Sequence, residues 1–460
     1  MSLLSAFTNA RSSLATVSAQ TALVSRNIAN ADNSGATRKY ANQISNGLGG
    51  VKITSISQSE NQALFRSMTA ANGSLAASKA MSDALNSIRA VIGDVDSTNT
   101  PAATLTALKS ALADFAVSPE DAQTARAAVD AAKDVVNSLN SATTAIQNAR
   151  KDADTQLSAA ADDMNKLLKQ FQSLNDRVVS GTALGTDVTD AIDQRDQIVT
   201  KLSGYVGINT QMRTGNDMVL TTDSGITLFE TTPRSVEFSA QPAYDATVTG
   251  NAFKIDGVSV GASSTMPIGS GSVFGLLKLR DETAITFQGQ LDAIATNLVD
   301  AFSEASGPGL FSAGTAPGSA GSLDVTAAFD ADPTLVRDGS AGQYNTTGSS
   351  GFSDRINSLI SAMTTQRSFN PALGSGGQSS LIGYAGSSIS WLENARATTA
   401  SDIDYQSTLL TGTQDALSNK TGINLDEEMT HLLDLERSYQ ASSKIVATIG
   451  QMLDTLLNVS

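Results

Sequence analysis

The hydrophobic positions at the two ends of the chain repeat in sevens. Towards the C-terminus, Leu425, Leu432, Tyr439, Val446 and Leu453 form one series. Leu435, Ile449 and Leu456 occupy the companion positions three residues on, with Glu428 and Ser442 as polar exceptions. At the other end Leu3, Ala10, Val17, Val24 and Ala31 form one series, and Phe7, Leu14, Thr21 and Ile28 a second. Such spacing predicts two helices with narrow apolar seams, shaped to lie against another helix. Asn424 or Thr421 is placed to cap the last helix. Asp426, Glu427 and Glu428 fall in its first turn, where the helix dipole favours negative charge. An ordinary amphipathic helix docked on a core is the bland alternative, though its stripe is usually wider.

Between these ends the pattern is mainly helical. Asn33, Ser34 and Gly35 break the first helix, and residues 44–57 alternate weakly, as in a short strand or arm. Helical spacing returns over 58–93, and Thr100-Pro101 opens a further helix to about Val117. Ser118, Pro119, Glu120 and Asp121 mark a helix start, and no Gly or Pro follows until Gly181. That predicts a rod of roughly 90 Å. A shorter helix covers about 187–203. Residues 206–267 then alternate β-formers with turn signals, among them a hairpin turn at Asp256-Gly257. Helices resume over 273–305 and 378–418, separated by a Gly/Ser-rich stretch at 306–350 that reads as a mobile loop or small β element.

The expected fold is therefore mainly α with an inserted β domain. Paired terminal coiled-coil helices enclose a long-helix bundle, which encloses the β segment. The divisions read as 1–57 for the N-terminal assembly helix and connecting arm, and 58–204 for the first part of the bundle. The β insertion takes 205–270, the second part of the bundle 271–419, and the C-terminal assembly helix 420–460. Pairing of the chain ends would place the β insertion at the far end of an elongated molecule.

Charge favours mutual pairing of the ends over self-pairing. Residues 1–60 carry five basic side chains against two acidic ones, whereas residues 420–460 carry six acidic against three basic. The whole chain has a net charge of −15, so neither nucleic acid nor an anionic membrane surface is an expected partner. Aromatics make up 5% of residues, which suits helices packed through small side chains. With no cysteine, disulfides, thiolate metal sites and a thiol nucleophile are excluded. The start lacks the basic and apolar regions of a secretory signal, so an exported chain would use a route that reads no cleaved signal. No apolar run reaches membrane-spanning length.

The inventory for chemistry is thin. His431 is the only histidine and reads as a flank or interface residue. The first-turn carboxylates suit a dipole better than acid–base work. Gly269, Gly271 and Gly275 lack the third spacing and the βαβ setting of a dinucleotide loop. Phe115, Phe171 and Trp391 read as core or interface anchors, and Asp193-Gln194-Arg195-Asp196 as a charged helix face. No catalytic, cofactor-binding or metal-binding residues are expected, and no enzyme.

Several stretches resemble the bacterial flagellar axial family, which includes rod, hook and hook-associated proteins. They are Asn27-Ile28-Ala29-Asn30-Ala31, then 424–428 followed by Leu432-Leu433, Tyr439-Gln440-Ala441-Ser442, and 453–457. Residues 190–208 and 275–302 resemble the middle of its hook–filament junction members. One departure stands out. The family's Thr-Pro-Gly-Tyr turn is replaced by 32–40, without proline and with Tyr40 displaced.

The resemblance implies a secreted, extracellular subunit at the hook–filament junction, exported through the flagellar type III export apparatus. Its implied partners are hook protein, the second junction protein (hook-associated protein 3), other copies of itself, and an export chaperone holding the C-terminal helix. The implied interface residues are Leu3, Phe7, Leu14, Val17, Val24, Ile28, Leu425, Leu432, Leu435, Tyr439, Val446, Ile449, Leu453 and Leu456. A lone subunit is expected to leave its seams partly disordered. Rival readings are another axial subunit such as the hook protein, a flagellum-associated cell-wall hydrolase, and an unrelated coiled-coil scaffold or adhesin.

Overall fold

The computed structural model describes residues 3–45 and 50–459, with the backbone alone for 456–459. Helix α1 (Leu3–Ala29) runs antiparallel to the last helix, α12 (Leu425–Val459). The direction follows from their cross-contacts, since Ser13 meets Ser442 and Asn27 meets Glu428. The two helices pair within one chain along much of their length. A hairpin of β1 (Lys39–Ser45) and β2 (Val51–Gln58) lies along α1. The Ser12 and Thr16 hydroxyls donate to the Val51 carbonyl, each at 3.0 Å. This second neighbour explains why Thr16, Leu23 and Asn27 are buried beside Val17 and Val24. The buried stripe of α1 is wider than a coiled-coil seam.

The bundle is built on α4 (Ala122–Leu184), 63 unbroken residues. Its start is three residues later than Ser118: Asp121 is the cap, its side chain accepting from the Gln123 amide at 2.8 Å. Against it pack α2 (Gln62–Ile92), α3 (Pro101–Val117), α5 (Thr189–Ser203), α6 (Ser272–Lys278) and α7 (Ala284–Ala301). A π turn over Leu279–Thr283 joins the last two. Thr100 caps α3, with Pro101 in its first turn. Phe115 and Phe171 are fully buried, and Trp391 stacks on Phe287.

The middle segment forms two three-stranded antiparallel sheets. One holds β3 (Ile208–Met212), β4 (Met218–Thr222) and β5 (Thr227–Phe229). The other holds β6 (Val236–Glu237), β7 (Lys254–Ile255) and β8 (Val258–Ser259). Asp256 and Gly257 turn the second hairpin with positive φ at both positions, the geometry that matches strand twist. Phe229, Val236, Phe253 and Ile255 share one continuous apolar core with α4. The β segment is thus packed along the rod, and the far-end placement is not found. Helix α5 folds back beside the end of α4, and the first sheet follows it directly.

The far end instead carries the Gly/Ser-rich stretch, tied down by Arg126 and Lys133 to Asp330 and by Asn140 to the Leu323 carbonyl. It holds a small β pair, β9 (Phe311–Ser312) with β10 (Asp324–Val325), and two short helices, α8 (Ala327–Ala331) and α9 (Leu335–Asp338). Helix α10 (Asp354–Thr364) and a pair of two-residue strands, β11 (Arg367–Ser368) and β12 (Gln378–Ser379), lead into α11 (Leu381–Thr421). That helix returns along α2 to the joint with α12. Among the described residues no helix is long and apolar enough to cross a membrane.

Candidate assembly joint

The two chain ends meet the bundle at the turn between α1 and β1. Asn424 caps α12, its side-chain oxygen accepting from the amides of Asp426 and Glu427 at 3.0 and 3.3 Å. Asp426 and Glu427 are exposed near the positive helix end. Glu428 differs from them. It is 1% exposed, it faces α1, and its carboxylate is held by two donors: Arg38 Nε at 2.6 Å and Asn27 Nδ2 at 3.0 Å. Its first-turn position suggested a dipole-complementing charge, but its main role is as a buried acceptor.

Asn27 is fully engaged. Its amide nitrogen also donates to the Lys39 carbonyl at 2.9 Å, and its oxygen accepts from the Lys39 amide at 3.2 Å. Lys39 is buried, and its Nζ lies 2.9 Å from Asp193 Oδ2 and 2.6 Å from Asp190 Oδ1. Asp193 also accepts from the Thr37 hydroxyl and amide at 2.7 and 3.2 Å. Gln197 Nε2 donates to the Gly35 carbonyl at 3.3 Å. Arg26 donates to Asp187 Oδ2 at 2.8 Å and to the Thr189 hydroxyl at 3.3 Å. Burial works to raise the Asp187 pKa, but bonds from Thr189 and Arg26 outweigh it and hold the carboxyl below its usual range.

The Asp193–Asp196 stretch, unremarkable as a charged face, supplies both sides of this joint. Asp193 takes the turn. Arg195 reaches the other way, to Asn175 Oδ1 of α4 at 3.1 Å and the Asn216 carbonyl at 2.6 Å. Asn175 in turn accepts from the Met218 amide. Helices α4 and α5 are thereby tied to the first sheet. Beside them opens a cleft of about 700 Å³, lined among others by Gln58, Glu60, Phe65, Arg195, Asp196 and Thr421. About a third of the Asp196 side chain is exposed, yet its Oδ1 is enclosed without a hydrogen-bond partner, 3.9 Å from Arg195 Nε. Burial pushes its pKa up to about 7; Arg195 opposes this, and Glu60 and Asp193 add to it.

The seam residues separate into two groups. Val17, Val24 and Leu435 form a buried cluster with Ile28 and Leu432 packed on it, and Ile449 is buried further along. Phe7, Leu14, Val446 and Leu453 are half-buried. Leu3, Leu425 and Tyr439 are exposed, and the Leu456 side chain lies outside the described residues. Ser442, the other polar exception, is buried with its hydroxyl 3.2 Å from that of Ser13. Sequence reasoning missed Asn27, Arg38, Lys39, Asp187, Asp190 and Asp193. The available signal was the pair of polar residues interrupting an apolar series, which asks for polar partners opposite.

Gly271 and Gly275 serve packing. The Gly271 amide donates to the Gly73 carbonyl at 2.9 Å, and a Cβ at Gly275 would overlap the Ala77 carbonyl oxygen. His431 is exposed, and among the described residues no group of three potential metal ligands occurs.

The fold is a helical bundle whose two chain ends zip together and are bolted to one end of it, with apolar positions left open on the zipped pair, an architecture of structural proteins. The model of the flagellar hook-associated protein FlgK helical domain matches residues 85–322, more than half of the chain, and that of the flagellar basal body rod FlgEFG protein C-terminal region matches 414–459. The chain belongs to the FlgK family, a structural family of the flagellum. Flagellar hook-associated protein 1 of Salmonella typhimurium is 25% identical over 185 residues, 40% of this chain and 34% of that protein. The chain thus matches about a third of that relative's length. The Bacillus subtilis protein of the same name is 23% identical over 366 residues, 70% of this chain and 69% of that one. A solved flagellar hook junction protein FlgK from Burkholderia pseudomallei has 21% identity and a TM-score of 0.45, covering 54% of this chain and 47% of its own.

Proposed function

We propose that this chain is an axial subunit of the bacterial flagellum that forms the junction between hook and filament through its terminal helices. The observation that carries the reading is the two-sided character of α12. One side buries Leu435 and Ile449, while Leu425, Met429, Leu433, Tyr439, Ile445 and Met452 are each 45–52% exposed. A helix that spends apolar residues on solvent is built for further neighbours. In a tube wall those neighbours are other copies, hook protein on one side and hook-associated protein 3 on the other. Before assembly the same flank suits a chaperone groove that accepts an amphipathic helix. Passage through the flagellar type III apparatus places the mature protein outside the cell.

Nine of the seam residues divide the work in this reading. Val17, Val24, Ile28, Leu432, Leu435 and Ile449 close the helix pair, and Leu3, Leu425 and Tyr439 face neighbours. Deleting residues 423–460 tests the proposal when the truncated chain is expressed in a flagellated strain from which the native gene has been removed. The truncated chain should retain its folded bundle and fail to enter the flagellum, leaving hooks without filaments. Normal incorporation of the truncated chain would overturn the proposal.

A further inference from the structure

We infer that Glu428 is the positioning residue through which the C-terminal helix sets the seating of the helix pair on the bundle. Three charged layers stack at the joint. Glu428 of α12 forms the first, Arg38 and Lys39 of the turn the second, and Asp190 and Asp193 of α5 the third. Asn27 links the first two, bonding the Glu428 carboxylate and both backbone groups of Lys39. The core of this stack is largely shielded from solvent: the side chains of Glu428, Lys39 and Asp193 are 1%, 3% and 7% exposed.

In such a setting a carboxylate does not simply add one more contact. Removing it strands the buried Asn27 amide proton and frees the Arg38 guanidinium, so the loss propagates to the neighbours. No other α12 side chain has a hydrogen bond or ion pair to this turn among the described residues. Two backbone bonds hold Arg38 independently, from its amide to the Thr421 carbonyl at 2.7 Å and from the Ser59 amide to its own carbonyl at 2.8 Å. Those bonds keep the turn attached when α12 is undocked. Arg26 ties α1 to the start of α5 directly, and the charged stack is the second tie, the one through which α12 bears on α5. Docking of the last helix is in this way reported to the bundle through one side chain.

The chain has no cysteine, so two introduced ones carry spin labels without background. Ser18→Cys on α1 and Gln194→Cys on α5 are both at exposed positions. Double electron–electron resonance on the full chain should give one narrow distance distribution. Glu428→Ala and Lys39→Met should each broaden it about twofold, and the double variant no further, since both cut one path. Glu428→Gln keeps acceptors for Asn27 and Arg38 and should retain most of the narrowness. A broad distribution in the unaltered chain, an unchanged width in Glu428→Ala, or additive broadening in the double variant would each overturn the inference. The measurement uses the isolated chain, so it stands or falls separately from the junction reading.

Discussion

Asn27 of α1 and Glu428 of α12 are 401 residues apart in the chain and 3.0 Å apart in the fold. The bond crosses a mainly apolar helix interface at its end nearest the bundle, with Ser13 and Ser442 as the other polar pair further along. Asn27→Ala should leave the buried Glu428 with Arg38 alone, at a cost of about 1–3 kcal/mol. The loss should appear as faster amide exchange in the first turns of α12, with the bundle unchanged.

Asp196 predicts a pH dependence of the opposite sign to that of an ordinary paired carboxylate. Its folded pKa is raised to about 7, whereas in the unfolded chain it is about 3.9. Between those values the folded state holds a proton that the unfolded state has lost. Its contribution to stability is therefore largest at low pH and is lost as pH rises to about 7. Asp196→Asn should raise the unfolding midpoint at pH 8 relative to the native chain, with the difference shrinking towards pH 4. Parallel stability curves for the two proteins would contradict this.

Arg280 and Asp154 form a buried ion pair at 2.6 Å, and Asp154 also accepts from the Gln241 amide. This pair clamps the 241–251 loop to α4, with Arg150 donating to the Asp245 and Val248 carbonyls beside it. Breaking it with Asp154→Ala should cost about 1–3 kcal/mol, because Arg280 Nη1 and the Gln241 amide lose their buried acceptor while Asp281 still pairs with Arg280. Arg280→Met, which leaves Asp154 buried without its cation and frees Asp281 and the Asn251 carbonyl, should cost more. Denaturant titration separates the two.

Gly275 marks the close crossing of α6 on α2, where a Cβ would overlap the Ala77 carbonyl oxygen. Backbone atoms cannot swing aside as a side-chain tip can. Gly275→Ala should therefore destabilise by about 1–3 kcal/mol through forced separation of the helices, read by thermal unfolding.

How far the sequence reveals these features depends on their range. The long helix, the Thr100-Pro101 start and the Asp256-Gly257 turn are local, and their residues dictate backbone geometry directly. The seam at each end is periodic, so Val17, Val24, Leu435 and Ile449 could be chosen from spacing alone. The joint is different in kind. Lys39, Asp190 and Asp193 lie on elements whose meeting depends on α5 folding back beside α4, which no local pattern encodes. The second neighbour of α1, the β1–β2 hairpin, was hidden for the same reason, and it buries Thr16 and Leu23 outside the heptad series. Placement of the first sheet beside the joint likewise follows from the route of the chain after α5, where nesting of segments along the sequence had suggested the far end.

A junction subunit occupies one place along the flagellum. Immunogold labelling of intact flagella with antibody to this chain tests it most directly. A discrete band of label where the hook meets the filament is the predicted result. Label spread along the hook or filament, or absent from the flagellum, would contradict the account.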